Sequence, residues 1–331
     1  MPNNAIAESN WCKTAYPTQG NITALNAIIL MAFNVAIALS NIFVNGFLIF
    51  ALKRTDQLKS LSIKLIVCLS LSDCSVGLIL QPIVLKILAN EYYGINSCRI
   101  DLAGQAISFV FCHFSGVMLA IISLDRYIHI RHASRYSSYV TKSRAIALVL
   151  IDVAIALTVA AVSIIASLQQ TYFIFDIFLS SFDTVVVIFI WLNYILMFHS
   201  IRKHTNSVLR QDNGGIPRIS NKLRADAVVV KTMILLMTSQ AICFFPYFIA
   251  SSIWSYRVRN IKEAIDSKLA LLLWWSLLLV FIYSSANGLI FIVRNPSIRR
   301  RYFRKFCKLQ RPVAPQTNFS EKITLKSRKS N

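Results

Sequence analysis

Seven long apolar runs, separated by short polar segments, divide most of this chain. They occupy residues 24–51, 65–85, 102–124, 145–168, 184–201, 232–256 and 269–293. Five carry no Asp, Glu, Lys or Arg; the second holds only Asp73 and the fourth only Asp152. The hydrocarbon core of a bilayer takes about 20 apolar residues of helix, and only a helix or closed barrel satisfies its backbone there. Each run therefore predicts a spanning helix, the fifth starting near Phe173 because 184–201 alone is short. The fold class implied is an all-α membrane protein, a seven-transmembrane helix bundle. After the seventh run, Asn295-Pro296 opens an amphipathic segment. Ile298, Tyr302, Phe306 and Leu309 recur there at helical spacing, and Arg299, Arg300, Arg301, Arg304, Lys305 and Lys308 cover the other sides. That pattern predicts a short helix lying on the membrane surface, with Cys307 as a candidate for palmitoylation.

Composition agrees. Apolar residues make up 56% of the chain and charged residues 15%, against about a quarter charged in a soluble domain. The net charge of +21 would suit nucleic acid until its distribution is read. With the N-terminus outside, 28 of the 35 Lys and Arg fall in the inner loops and tail, as the positive-inside rule requires. The N-terminus is expected outside, the C-terminus in the cytoplasm, and nucleic acid is not a partner; membrane lipids are. Residues 1–20 hold no apolar stretch to serve as a signal peptide, so the first span is expected to insert itself. Asn21-Ile22-Thr23 is a glycosylation acceptor on the predicted outer side. Cys68, Cys74, Cys112 and Cys243 lie inside spans, whereas Cys12 and Cys98 face the oxidising side and are expected to pair. No metal cluster, nucleophile motif or phosphate loop points to an enzyme.

Seven spans alone do not name a function; residues at their centres and ends discriminate. Span three ends in Leu124-Asp125-Arg126-Tyr127. Span one holds Asn45, and span two Leu69-Ser70-Leu71-Ser72-Asp73. Span six has Cys243-Phe244-Phe245-Pro246, and span seven Asn287-Gly288-Leu289-Ile290-Phe291. This ordered set resembles the rhodopsin-like G-protein-coupled receptor family over roughly residues 25–308. The resemblance implies a receptor domain at 25–308, an extracellular tail at 1–24 and a disordered cytoplasmic tail at 309–331. It also implies location in the plasma membrane and two partners, a heterotrimeric G protein and a small-molecule or peptide ligand.

The resemblance assigns roles by position. Asp125, Arg126, Tyr127, Tyr194 and Asp226 would form the coupling end, with an Arg126–Asp226 ion pair holding the receptor off. Phe244, Pro246, Asn287 and Phe291 would form the activation hinge, proline breaking the helical bonding of span six. Asp73, Ser115 and Asn287, with Asn45 and Ser284 nearby, would enclose a sodium ion; a dry hydrogen-bonded cluster is the other reading. Ser108, Phe109, Cys112, His113, Phe178, Phe182, Tyr247, Phe248 and Phe281 are the inward-facing ligand candidates, or else ordinary packing. Ser108 stands where amine receptors carry an acid, and the aromatic candidates, if they line a pocket, favour a neutral, flat or lipid-like ligand over a charged amine. Retinal is not expected, because Phe281 occupies the lysine position of opsins. Several residues depart from the family pattern: Phe244 for Trp, Gly288 for Pro, Phe291 for Tyr, Asp152 for Trp and Val186 for Pro, while Gly116 and Gln240 replace bulkier core residues. A transporter using the intramembrane carboxylates Asp73 and Asp152 is the alternative, although no broken helix or repeat supports it.

Overall fold

The computed structural model describes residues 22–302 except 56, 96, 133, 170–171, 212–220 and 261–266. For 172–173, 176–177, 180, 183, 204–211, 221–230, 233, 255 and 258–260 it describes the backbone alone. Seven helices are long and apolar enough to cross a membrane. They are α1 (Ala24–Arg54), α2 (Leu61–Tyr92), α3 (Cys98–Arg131), α4 (Lys142–Leu168), α5 (Tyr172–Gln211), α6 (Asn221–Asn260) and α7 (Ser267–Arg294). A single helical turn, Tyr136–Tyr139, joins α3 to α4, and α8 (Pro296–Tyr302) follows α7.

Local chemistry sets several of these ends. Thr23 caps α1 by accepting from the Asn26 N–H at 3.4 Å, and Thr141 caps α4 by accepting from Arg144 N–H at 3.4 Å, each satisfying a donor the first turn leaves free. Gly94, at φ 67°, turns the chain after α2. Asn295 caps α8: its Oδ1 accepts from the N–H groups of Ser297 and Ile298. Its amide also exchanges bonds with Gln57, donating to Oε1 at 2.8 Å.

α2 is not uniform. Residues Val76–Leu80 form a π turn just before Pro82, which offers no N–H and crowds the carbonyl four residues earlier. The wider turn relieves that conflict and rotates Gln81 fully into the protein, at 0% exposure.

The core divides along the membrane normal. At the Arg126 end, Leu48, Leu69, Met118, Ile122, Met197, Leu236 and Ile292 pack around α3. Ile298 is fully buried there, and Tyr302 meets Phe47 edge-on at 5.3 Å, so α8 docks by the apolar face expected of it. At the opposite end Leu30, Leu80, Leu88, Leu278 and Phe281 join α1, α2 and α7.

α4 turns a face of small residues inward: Ala145, Ala156, Ala160 and Ser163 are buried. Asp152 lies on that face at 1% exposure, and neither carboxylate oxygen has a hydrogen-bond partner among the described residues. Nothing there rewards a charge, and an unpaired buried charge costs several kcal/mol. Asp152→Asn keeps the shape and removes the charge. It is expected to leave surface expression nearly unchanged by flow cytometry; a severe loss would show that the charge is required.

Candidate functional site

The end of α3 carries a compact group of polar contacts. Asp125 is only 4% exposed. Its Oδ2 accepts from the Ser62 hydroxyl of α2 at 2.6 Å, and its Oδ1 accepts from the Tyr136 hydroxyl at 2.6 Å. Those two hydroxyls lie 3.2 Å apart. Arg126 is held alongside, its Nε 3.6 Å from Asp125 Oδ2 and its side chain 16% exposed. His129 meets Tyr136 edge-on at 4.9 Å and steadies the ring. Burial, together with the Asp125 carboxylate, pushes the Tyr136 phenol up, so it remains a neutral donor. Tyr127 and Tyr194 are half-buried against the same core as Phe291. Asp226 lies on α6, but its side chain is outside the described residues.

Midway along the bundle, Asp73 is fully buried. Asn287 donates to its Oδ2 at 3.4 Å, and Ser115 and Ser284 lie within electrostatic reach of the same carboxylate. Ser72 and Ser115 pair at 3.4 Å, while Asn45 donates to the Ser284 carbonyl at 3.1 Å. The expected five residues are therefore together. Four buried oxygens around them have no hydrogen-bond partner among the described residues: Asp73 Oδ1, Asn45 Oδ1, Asn287 Oδ1 and the Tyr283 hydroxyl. Tyr283, whose ring meets Phe244 edge-on at 5.4 Å, joins Phe244 of the hinge to this cluster. Pro246 sits inside unbroken α6, half-buried.

Nearer the opposite end, aromatic rings gather between α3 and α5. Phe109 meets Phe175 edge-on at 5.6 Å, and His113, 4% exposed, lies 5.8 Å from the Phe182 ring. Cys112 is half-buried on α3. Ser108 donates to the Gly104 carbonyl at 2.7 Å, and Tyr247 and Phe248 are half-buried on α6. One expectation needs correction. Phe178 faces outward, 67% exposed, because the inward line of α5 runs through Phe175, Leu179 and Phe182 at i, i+4 and i+7. Phe281 does face inward, buried in an apolar cluster with residues of α1, α2 and α7 and with Ile107 and Phe111 of α3 packed against it. Cys98 is disulfide-bonded; Cys12, with Asn21 and Cys307, lies outside the described residues.

The sequence profile of the family "7 transmembrane receptor (rhodopsin family)" matches residues 44–291. The chain belongs to this family. The receptor is 26% identical over 128 residues to adenosine receptor A3 of Bos taurus, 39% of each chain. It is 30% identical over 123 residues to dopamine receptor 2 of Drosophila melanogaster, 36% of this chain and 22% of that one. The match thus spans well under half the length of these curated relatives. Family membership displaces the transporter alternative.

Sequence reasoning missed Ser62, Tyr136 and Tyr283, and also Asn34 and Asn41, which extend a line of amides on α1 from Asn45. Asn34, Asn41 and Asn45 are all buried, and their spacing of seven and four residues places them on one helical face. That spacing was the available signal; Gln81, the partner of Asn34 and Asn41 on α2, gave none.

Proposed function

We propose that the receptor sits in the plasma membrane with its N-terminus outside and transmits binding of an extracellular ligand to a heterotrimeric G protein. The buried Asp125 carries this reading. Two hydroxyls fix its carboxylate and Arg126 waits beside it, so the guanidinium can be kept or released without rearranging the core. The inner placement of that end follows from 28 of 35 basic residues lying on its side of the membrane. The test uses the full chain in nanodiscs with purified heterotrimers, reading nucleotide exchange while a ligand library is added. Arg126→Ala is expected to cut exchange at least about tenfold, the loss of one charge-assisted contact. Wild-type protein that never exceeds empty nanodiscs would overturn the reading.

The ligand is proposed to be neutral and flat or lipid-like, held among Phe109, His113, Phe175 and Phe182. Ser108 offers no charge, and its hydroxyl is already committed to Gly104.

The Asp73 cluster fits a sodium ion. Its partnerless buried oxygens are hard donors suited to a hard cation, and Asp73, Ser115, Asn287, Asn45 and Ser284 would hold it. Exchanging choline chloride for sodium chloride at equal ionic strength is expected to raise the thermal midpoint by about 3 °C. Asp73→Asn should abolish the difference; an equal shift in that variant would rule the site out.

A further inference from the structure

We propose that Asn41 of α1 and Gln81 of α2 are positioning residues for the Asp73 ion site, fixing from outside it which atoms Asn45 and Ser284 present. This role rests on the sodium reading above; the hydrogen bonds that support it do not.

Four buried amides, Asn34, Gln81, Asn41 and Asn45, stand in series between α1 and α2, and the first three set one another's orientation. Asn34 Nδ2 donates to the Gln81 carbonyl at 2.9 Å, which leaves Asn34 Oδ1 to accept from Gln81 Nε2 at 3.3 Å. Gln81 Nε2 also reaches the Asn34 carbonyl at 3.2 Å. Gln81 Oε1 is thus the end turned toward Asn41, and it accepts from Asn41 Nδ2 at 2.9 Å. The same Nδ2 donates to the Phe281 carbonyl of α7 at 3.3 Å, while Asn41 Oδ1 accepts from the Ser285 hydroxyl. An amide flipped anywhere in this series sets oxygen against oxygen, in a medium without water to compensate.

The series ends at the ion site. Phe281 and Ser285, the two α7 residues that Asn41 holds, flank Ser284 in sequence. That clamp keeps the Ser284 carbonyl 3.1 Å from Asn45 Nδ2, whose other bond, also 3.1 Å, goes to the Asn41 carbonyl. Both carbonyls only accept, so Asn45 must turn its Oδ1 the other way. This oxygen is one of the four around Asp73 without a partner among the described residues. Gly288 makes room for it, since a Cβ there would lie 2.5 Å from Asn45 Oδ1. Without the clamp, the Ser284 carbonyl is free to leave Asn45, whose NH2 end then turns inward and opposes a cation. Groups that orient the ligands of a metal cost roughly 10–100-fold in affinity when they are lost.

The full chain in nanodiscs provides the test. Thermal midpoints are followed as sodium chloride replaces choline chloride at constant ionic strength, which gives the sodium concentration at half effect. Asn41→Leu and Gln81→Leu are each expected to raise that concentration about tenfold. The double variant should rise no further than the larger single, because the two residues act in series. Ser276→Ala is the control. Its α7 hydroxyl is also buried but bonds the Leu273 carbonyl of its own helix, so its half-effect concentration stays at the wild-type value whatever its midpoint does. Where Asn41→Leu does not fold, Ser285→Ala removes one of the Asn41 bonds with little change of volume, and a rise of about threefold is expected. Leucine variants that melt earlier at the wild-type half-effect concentration would show amides that only hold the helices together, overturning the positioning role. An equal rise in Ser276→Ala, or a double variant that multiplies the two singles, would overturn it as well. Wild-type protein with no sodium dependence would instead refute the sodium reading, and the positioning role with it.

Discussion

Replacing Gly77 with valine is expected to remove most of the receptor from the cell surface. Gly77 lies in the π turn of α2 where that helix presses on α1. A Cβ there would lie 2.8 Å from the Ala38 carbonyl oxygen, 3.0 Å from Ile42 Cγ1 and 3.1 Å from Asn41 Cβ. The first contact is to backbone and cannot rotate away, so the helices must part. Overpacking of this kind costs about 1–3 kcal/mol. Parting α1 from α2 also stretches the Asn34–Gln81 and Asn41–Gln81 bonds, and each buried group left unmade adds about 1–3 kcal/mol. The sum consumes much of the roughly 5–15 kcal/mol that holds a domain together. Gly116→Ala is the matched control. Nothing lies within 4 Å of a Cβ at that position, and alanine gains up to about 1 kcal/mol of helix propensity. Flow cytometry and the thermal midpoint of purified protein report both variants. A Gly77→Val receptor with a wild-type midpoint would show that the α1–α2 approach is not tight in the membrane.

The bundle was legible because lipid imposes a blunt requirement. A span must be long, apolar and helical, and seven segments of this chain satisfy that without arithmetic on packing. Asp73 was legible as a charge where charges are costly, and the Asp125-Arg126 end by its place in the ordered set of span residues. Their partners were not. Ser62 lies 63 residues from Asp125 in sequence, and a hydroxyl near a helix end is too common to mark itself. Gln81 turns inward only because the π turn advances its register, a backbone event that Pro82 hints at but does not specify. Phe178 shows the opposite failure. Residues 172–183 mix aromatic and acidic side chains, so the inward line of α5 could be placed on Phe178 or on Phe175 until packing chose the latter.

Asp125→Asn should raise ligand-independent signalling about tenfold or more, the largest gain expected from any single change at the coupling end. The carboxylate accepts two hydrogen bonds of 2.6 Å, from Ser62 and Tyr136, and keeps Arg126 at 3.6 Å. Bonds to a charged group contribute about 1.5–3 kcal/mol each. An asparagine amide accepts through one oxygen only, so its NH2 must face one of the two hydroxyls, and the attraction for Arg126 is lost as well. A net loss of about 2 kcal/mol, falling on the state that retains Arg126, displaces a two-state equilibrium roughly thirtyfold. The observed gain is smaller wherever the active population saturates. Tyr136→Phe removes one bond and leaves the charge and Ser62 in place, so about 1 kcal/mol and a fivefold rise are expected. The order of the two is the discriminating feature, because a merely destabilised receptor would lose signal in both. Nucleotide exchange on purified heterotrimers, with receptor matched by amount and no ligand present, measures it. If both variants stay at the wild-type level, the bonded Asp125 does not hold this receptor off, and the restraint lies elsewhere along α6.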